Sequence, residues 1–241
     1  MNLRFLHLNI EGRKHIDKIS NFLCKNEFDV LCLQEVCIDT ANIFKSKLGF
    51  AYQAFASMGF WSNDGSERSI SIMSKYPITL TGKTLLTKPD ANYIRLGKID
   101  IEFYLLEATV SREGKEYCFA TTHLPLYFNE NGGKDGWKVS DFQIKCLNDL
   151  KSELQKRDNF LLTGDFNAPR GTVIFDELAK AYTDNVPKEV KTTIDPILHR
   201  AGGLQLVVDG VFTTKGYSLS DAQVLEGLSD HKGISGTLSV N

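Results

Sequence analysis

The chain has 241 residues, 42% of them hydrophobic, and its 28 Lys and Arg against 30 Asp and Glu leave a formal net charge of −2. That length buries a substantial core without disulfides or a structural metal, and α/β chains of this size often run as one unit, so a single domain over 1–241 is expected. The charge balance argues against a protein that grips a long polyanion over its whole surface, which would carry a basic excess.

Residues 3–10 alternate apolar and polar and are predicted to form a strand. Arg4 and His7 interrupt its apolar character and no small-residue cleavage site follows, so it is a poor signal peptide. Ile16, Ile19, Phe22 and Leu23 fall at helical spacing and predict an amphipathic helix over 14–26. Phe28 to Leu33 is a short apolar run of the kind buried on both faces of a sheet. Strands are expected near 70–74, 101–110 and 116–122, the last two joined by a turn at Ser111–Lys115 that contains Gly114. Phe142, Cys146, Leu147, Leu150 and Leu154 share one face of a second helix. Phe160–Thr163 reads as another buried strand, Val173–Ala181 as a shorter helix, and strands near 206–213, 217–225 and 232–240 close the chain. The pattern suggests sheets packed together with helices outside. Residues 57–69 and 129–140 are polar and Gly-containing, each with one Trp, and are taken as long loops that either bind something or simply cover the surface.

The five cysteines, Cys24, Cys32, Cys37, Cys118 and Cys146, are odd in number and none are at CxxC spacing, so neither a disulfide framework nor a zinc knuckle is expected. Cys32 and Cys118 sit in apolar runs and read as small core residues. This usage fits a reducing compartment, and no apolar stretch approaches the roughly 20 residues that span a bilayer, so the expected location is the cytoplasm.

Several chemically capable residues follow directly on predicted strands. Glu35, in Gln34-Glu35, stands where an α/β site places a metal ligand. In Gly164-Asp165-Phe166-Asn167 the acid and the amide, two residues apart in extended chain, converge while Phe166 packs inward. Asp165 suits activation of a water and Asn167 a hydrogen bond to a phosphoryl oxygen, whereas an Asx-turn is the structural alternative. Ser229-Asp230-His231 offers a metal ligand and a proton carrier in one short loop. Asp209 interrupts the apolar run 206–212 and needs a buried partner, for which His231 is the candidate. His123 in Thr122-His123-Leu124 ends another strand, where a lone histidine is more often structural.

Taken in order, Leu8-Asn9-Ile10-Glu11, Leu33-Gln34-Glu35-Val36, Thr122-His123-Leu124, Gly164-Asp165-Phe166-Asn167, Asp209 and Ser229-Asp230-His231 resemble the endonuclease/exonuclease/phosphatase superfamily, the DNase I-like fold, from Asn9 to His231. The resemblance implies an α/β (α+β) four-layer sandwich of two packed mixed β-sheets, with helices on the outer faces and the site at one end. It implies that Glu35 binds Mg²⁺ or Mn²⁺ with support from Asn9, Glu11 and Asp230. It also implies that Asp165 activates the attacking water, Asn167 holds the phosphate, Asp209 orients His231 onto the scissile phosphate, and His123 acts on the phosphate or leaving group. Oxygen-rich ligands favour a hard cation over zinc. The implied activity is phosphoester hydrolysis, with nucleic acid the favoured substrate and a small-molecule, phospholipid or inositol-phosphate ester the alternative. A non-catalytic binding protein that keeps the fold is a further alternative, although every position the chemistry needs is filled. No stable membrane association and no obligate protein partner are implied.

There are departures. Arg68-Ser69 stands where many members have a small residue or Gly, and Gly210 follows Asp209 where an aromatic is common. The extended signatures of inositol polyphosphate 5-phosphatases and the basic loops of apurinic endonucleases are absent. Arg68, Arg170 and Lys138 read as phosphate contacts or, better, as solvated charges. Trp61 and Trp137 read equally as base-stacking or loop-packing residues. Tyr52 to Trp61 is a mild candidate for the exposed apolar hairpin of a surface-active phospholipase, without a basic amphipathic helix to accompany it.

Overall fold

The computed structural model describes residues 2–61, 64–88, 101–126 and 139–241. Two six-stranded sheets face each other. The first runs β11(Tyr217–Leu225)–β12(Gly233–Val240)–β1(Leu3–Asn9)–β2(Val30–Val36)–β4(Glu67–Ser74)–β3(Tyr52–Phe60). The second runs β5(Ile78–Leu85)–β6(Tyr104–Arg112)–β7(Lys115–His123)–β8(Leu161–Asp165)–β10(Asp209–Thr213)–β9(Thr183–Asp184). Each sheet is antiparallel except for one central parallel pair, β1 with β2 and β7 with β8. A parallel neighbour cannot be reached by a tight turn and needs a crossover. Helices α1 (Ile16–Lys25) and α3 (Asp141–Leu154) make those two crossovers, while α2 (Ile38–Leu48) and α4 (Val173–Ala181) follow β2 and β8. This is the expected α+β sandwich.

Period-two alternation decides which side chains meet between the sheets. On β1, Leu3 and Phe5 belong to the inter-sheet core, whereas Leu6, Leu8 and the following Ile10 pack with Ile19, Leu23 and Phe44 of α1 and α2. On β2, Val30 and Cys32 face inward and Leu31 and Leu33 outward in the same way. Toward one end of the sandwich this inward face turns polar. Gln34 Nε2 donates to Thr121 Oγ1 at 2.8 Å across the sheets, and Thr163 Oγ1 donates to the same oxygen at 3.1 Å. Gly210 is required here, since a Cβ on it would come within 2.8 Å of the buried Phe166 ring. That explains why no aromatic follows Asp209.

The region 57–69 is not a long loop. β3 continues to Phe60 and β4 begins at Glu67, with a register shift between Ser57 and Gly59 that absorbs the irregular pattern. Tyr52 to Phe60 is accordingly the edge strand of its sheet, paired antiparallel with β4, and it leaves Phe55 and Phe60 exposed. Trp137, Lys138 and most of 129–140 lie outside the described residues; Ser140, at its end, caps α3 through a reciprocal capping box with Gln143. Helix α2 and strand β5 had no counterpart in the sequence pattern. The strand expected at 101–110 begins at Tyr104, and the one expected at 206–213 begins at Asp209. Cys32 is buried between the sheets and Cys118 packs half-buried against the same core. Among the described residues no helix is long and apolar enough to cross a membrane.

Candidate active site

The carboxyl ends of both parallel pairs point to the same end of the sandwich. β1 ends at Asn9, β2 carries Glu35, β7 ends at His123 and β8 at Asp165, with His123 opposite Asp165 in register. The antiparallel β10 starts at Asp209, paired with Asp165, and the 229–231 turn leads into β12. All nine residues singled out from the sequence are therefore gathered around a cleft of about 550 Å³ or immediately behind it. The backbone is bent to achieve this. Glu11, Glu35 and Asn167 have φ of 51°, 58° and 49°, a region that costs non-glycine residues energy. Glu35 occupies a β-bulge, where Leu33 to Val36 faces only Ser71 to Ser69 and the side chain is re-aimed.

Asn9 joins the two sheets. Its amide donates to Glu35 Oε1 at 3.3 Å and to Asp165 Oδ2 at 3.1 Å, and its own oxygen accepts the Glu11 N–H at 3.2 Å. Asp165 Oδ1 accepts the Asn167 N–H at 3.0 Å, so the Asx-turn and the convergence of acid and amide are both present. The Asn167 amide donates to the Leu124 carbonyl at 2.8 Å and stands 3.0 Å from His123 Nε2. His123 Nε2 and His231 Nε2 lie 3.4 and 3.7 Å from Asp165 Oδ2.

Asp209 is fully buried behind this group and accepts two imidazole N–H bonds, from His231 Nδ1 at 2.9 Å and from His7 Nε2 at 3.1 Å. Burial opposes its charge, yet His231 and His7 hold its carboxyl well below the usual carboxylate range. Burial likewise opposes protonation of His231, and the Asp209 and Asp165 carboxylates overcome it, raising the imidazole well above its ordinary value. A protonated His231 held through Nδ1 presents Nε2–H toward Asp165 and the cleft. His7 was overlooked in the sequence, although its place two residues before Asn9 on an alternating strand puts both on one face.

The acids of the first sheet are balanced differently. Asp230 bonds the Ser229 hydroxyl, and burial together with the Glu11 and Glu35 charges pushes it up to about 6 despite His231. Glu11 is met by Lys14 and by His15 Nε2 at 3.1 Å. Glu35 pairs with Arg68, which is 1% exposed and not the solvated charge expected from the sequence. Arg68 also bonds Asp64 and Ser66 and lies 5.1 Å over the Trp61 ring, which in turn stacks on His123 at 6.4 Å. Gly12, with φ 70°, is needed beneath it, because a Cβ there would come within 3.3 Å of the guanidinium. Trp61 thus braces Arg68 and His123. Arg170 is a structural ion pair with Asp184, stacked on Phe175, and lies away from the cleft lining.

The segment 193–206 closes the far wall, and the sequence pattern did not mark it. Thr193 Oγ1 accepts the Val208 and Asp209 N–H groups, and Ile194 bridges His231. The Asp195 carboxylate accepts the N–H groups of Ile197, Leu198 and Gly227. The turn presents His199, whose ring lies 6.4 Å from that of His231. His199 Nδ1 accepts the Ala201 N–H, leaving the proton on Nε2. Burial, then the charges of His231 and Arg200, lower its pKa. Asp195-Pro196 was the available signal, a turn initiator close to the Asp209 strand.

The family model of the Endonuclease/Exonuclease/phosphatase family matches residues 6–231. An endonuclease/exonuclease/phosphatase from Beutenbergia cavernae superposes with a TM-score of 0.77 at 18% identity, over 100% of this chain and 72% of that one. The human nocturnin catalytic domain with a bound sulfate anion gives 0.70 at 17%, over 100% and 95%. TDP2 of D. rerio, complexed with a single-strand DNA product, gives 0.66 at 16%, over 99% of each. At these identities the likeness is one of fold. No curated protein matches the chain.

Proposed function

The chain belongs to the endonuclease/exonuclease/phosphatase family, whose name covers hydrolases of phosphoester bonds, and from that premise we propose that it is a divalent-metal-dependent phosphodiesterase acting on nucleic acid. The observation that carries the proposal is the meeting of Asp165, Asn9, His123 and His231 at the carboxyl ends of both parallel strand pairs. In this reading Asp165 takes a proton from the attacking water, and Asn167 and the His231 Nε2–H contact phosphoryl oxygens as negative charge grows on them. Asp209 keeps His231 charged and oriented, and His123, braced by Trp61, faces the phosphate or the departing oxygen. Each such contact is worth about 10²–10³ in rate.

The donor set fits a divalent cation. Burial, with the nearby Glu11 and Glu35 charges, raises Asp230 to about 6, and a cation bound beside these three carboxylates would favour its ionised form. Asn9, Glu11, Glu35 and Asp230 would hold Mg²⁺ or Mn²⁺. When bound, the ion supplies Lewis-acid stabilisation of phosphoryl charge.

The balanced overall charge favours short or single strands over long duplexes. One specific observation favours the second reading, a small phosphoester: Ile194, Leu204, Leu206 and Val208 make part of the cleft apolar. The proposal takes residues 1–241 as one domain working in the cytoplasm, without an obligate protein partner or stable membrane association, and the five free cysteines suit a reducing compartment.

The test compares wild type with Asp165→Ala on single- and double-stranded DNA, RNA, an abasic duplex, sphingomyelin, inositol phosphates and a chromogenic phosphodiester, with Mg²⁺, Mn²⁺ or EDTA. Metal-dependent turnover of nucleic acid that falls at least about 10²-fold in the variant is expected. Turnover confined to the small esters selects the second reading. No turnover on any substrate, with no metal binding by calorimetry, would leave a binding protein with this fold.

A further inference from the structure

Glu11 and His15 stand on one tight turn ahead of α1. The positive φ at Glu11 and Gly12 reverses the chain after β1, and the four-residue spacing returns His15 to the Glu11 side chain. His15 Nε2 lies 3.1 Å from Glu11 Oε2, and one donor atom from each of Glu11, His15 and Asp230 falls within 4.8 Å of the others. Ligands about 2.1 Å from a shared ion stand roughly 3–4.2 Å apart, so small side-chain adjustments bring all three onto one cation. Lys14 already meets the charge of Glu11 from the solvent side, with 57% of its own side chain exposed. The imidazole, 14% exposed, is thus not required as Glu11's counter-charge and faces the acid cluster instead.

We propose that the divalent ion of this centre takes the His15 imidazole as a nitrogen ligand beside Glu11 and Asp230, and that this selects a first-row transition dication such as Mn²⁺ or Co²⁺ over Mg²⁺. The proposal rests on the metal-dependent reading above and narrows it, replacing the all-oxygen set expected from the sequence. Mg²⁺ prefers oxygen ligands and retains its waters, whereas affinity of nitrogen-containing sites rises from Mn²⁺ through Co²⁺ to Ni²⁺. To bind, the ring offers the Nε2 lone pair and keeps its proton on Nδ1.

The experiment titrates Mg²⁺, Mn²⁺ and Co²⁺ by calorimetry into metal-stripped wild type, His15→Ala, His15→Gln and Glu35→Ala, all checked for native circular dichroism. Pulsed electron paramagnetic resonance of the Mn²⁺-loaded proteins reads directly bound nitrogen. Wild type should prefer Co²⁺ and Mn²⁺ to Mg²⁺. Either His15 variant should lose about 10–100-fold in Co²⁺ and Mn²⁺ affinity with little change for Mg²⁺. A single ¹⁴N coupling should be present in wild type and absent from both variants. Equal weakening of all three ions, no ¹⁴N coupling in wild type, or a coupling that survives in the variants would each overturn the proposal, leaving His15 at most a positioning residue for Glu11. Wild type that binds none of the ions would instead overturn the metal-dependent reading itself, and Glu35→Ala separates specific binding from adventitious surface binding.

Discussion

Two aspartates flank His231, and the protein treats them in opposite ways. Asp209 is enclosed behind the cleft and accepts an N–H from each of two imidazoles, so its carboxyl is held well below the usual carboxylate range. Asp230 faces the cleft beside Glu11 and Glu35, and its pKa is pushed up to about 6. The same side chain is thus a permanent anion in one place and a group short of a cation in the other. Burial pushes both upward; two imidazoles overcome it at Asp209, whereas at Asp230 His231, opposed by Glu11 and Glu35, does not.

The largest effect should come from breaking the balanced side. Asp209→Asn removes the anion that charges and orients His231, and kcat should fall about 10³–10⁴-fold, measured on whichever phosphodiester is turned over. It should also cost about 3 kcal/mol in stability, read by denaturant unfolding, because two imidazoles lose their buried partner. The raised His231 contributes stability that is full below 6.5 and lost as pH climbs through its folded value. The depressed Asp209 contributes stability that is full above 3.8 and lost as pH falls through its folded value. The penalty in the variant should therefore be greatest between those two ordinary values and shrink on either side. A penalty independent of pH would show that packing, not charge, holds this group together.

The opposite sign is expected for Asp230→Asn. A carboxyl whose folded pKa exceeds its unfolded value binds its proton more tightly when folded, so ionising it costs stability between pH 3.8 and about 6, and the full cost persists at pH 7. In EDTA the variant should be more stable than wild type by about 1–3 kcal/mol at pH 7, the gain closing as pH falls toward 4. Saturating Mn²⁺ should reverse the order, since only wild type keeps the ligand. A destabilised variant in EDTA would refute the contrast between the two aspartates.

The smallest effect sharpens the role of the wall. Trp61→Leu removes the stack on His123 and the contact under Arg68, at a cost of about 1 kcal/mol in thermal unfolding. Its effect on kcat should stay well below that of Asp209→Asn. A loss on nucleic acid much greater than on a chromogenic ester would instead mean that Trp61 stacks on a base.

The candidate site residues were legible because strand ends are local. An apolar run that stops at Glu35, Asp165 or His123 announces a buried strand delivering a side chain to a sheet edge, and the ordered motifs identified the fold from Asn9 to His231. The pairing of Asp209 with His231 followed from the cost of burying an unpartnered acid in the run 206–212. His7 was visible in principle through its alternation with Asn9, but nothing local distinguishes a histidine facing a buried acid from one that merely interrupts a strand. Arg68 was misjudged for the same reason: its burial depends on Glu35, Asp64 and Trp61, and Glu35 comes from another strand. The loop expected at 57–69 failed because strand pairing with a register shift tolerates a polar pattern that local propensity disfavours. What the sequence by itself determined was most of the element types and the acids, amides and histidines at the strand ends, all set by periodicity and the short reach of the chain. Only the tertiary structure decided the remaining partners: His7 as the second imidazole on Asp209, Asp230 among carboxylates, and Asp195 bracing the wall beside His231. Electrostatic partners lie close in space irrespective of their separation along the chain.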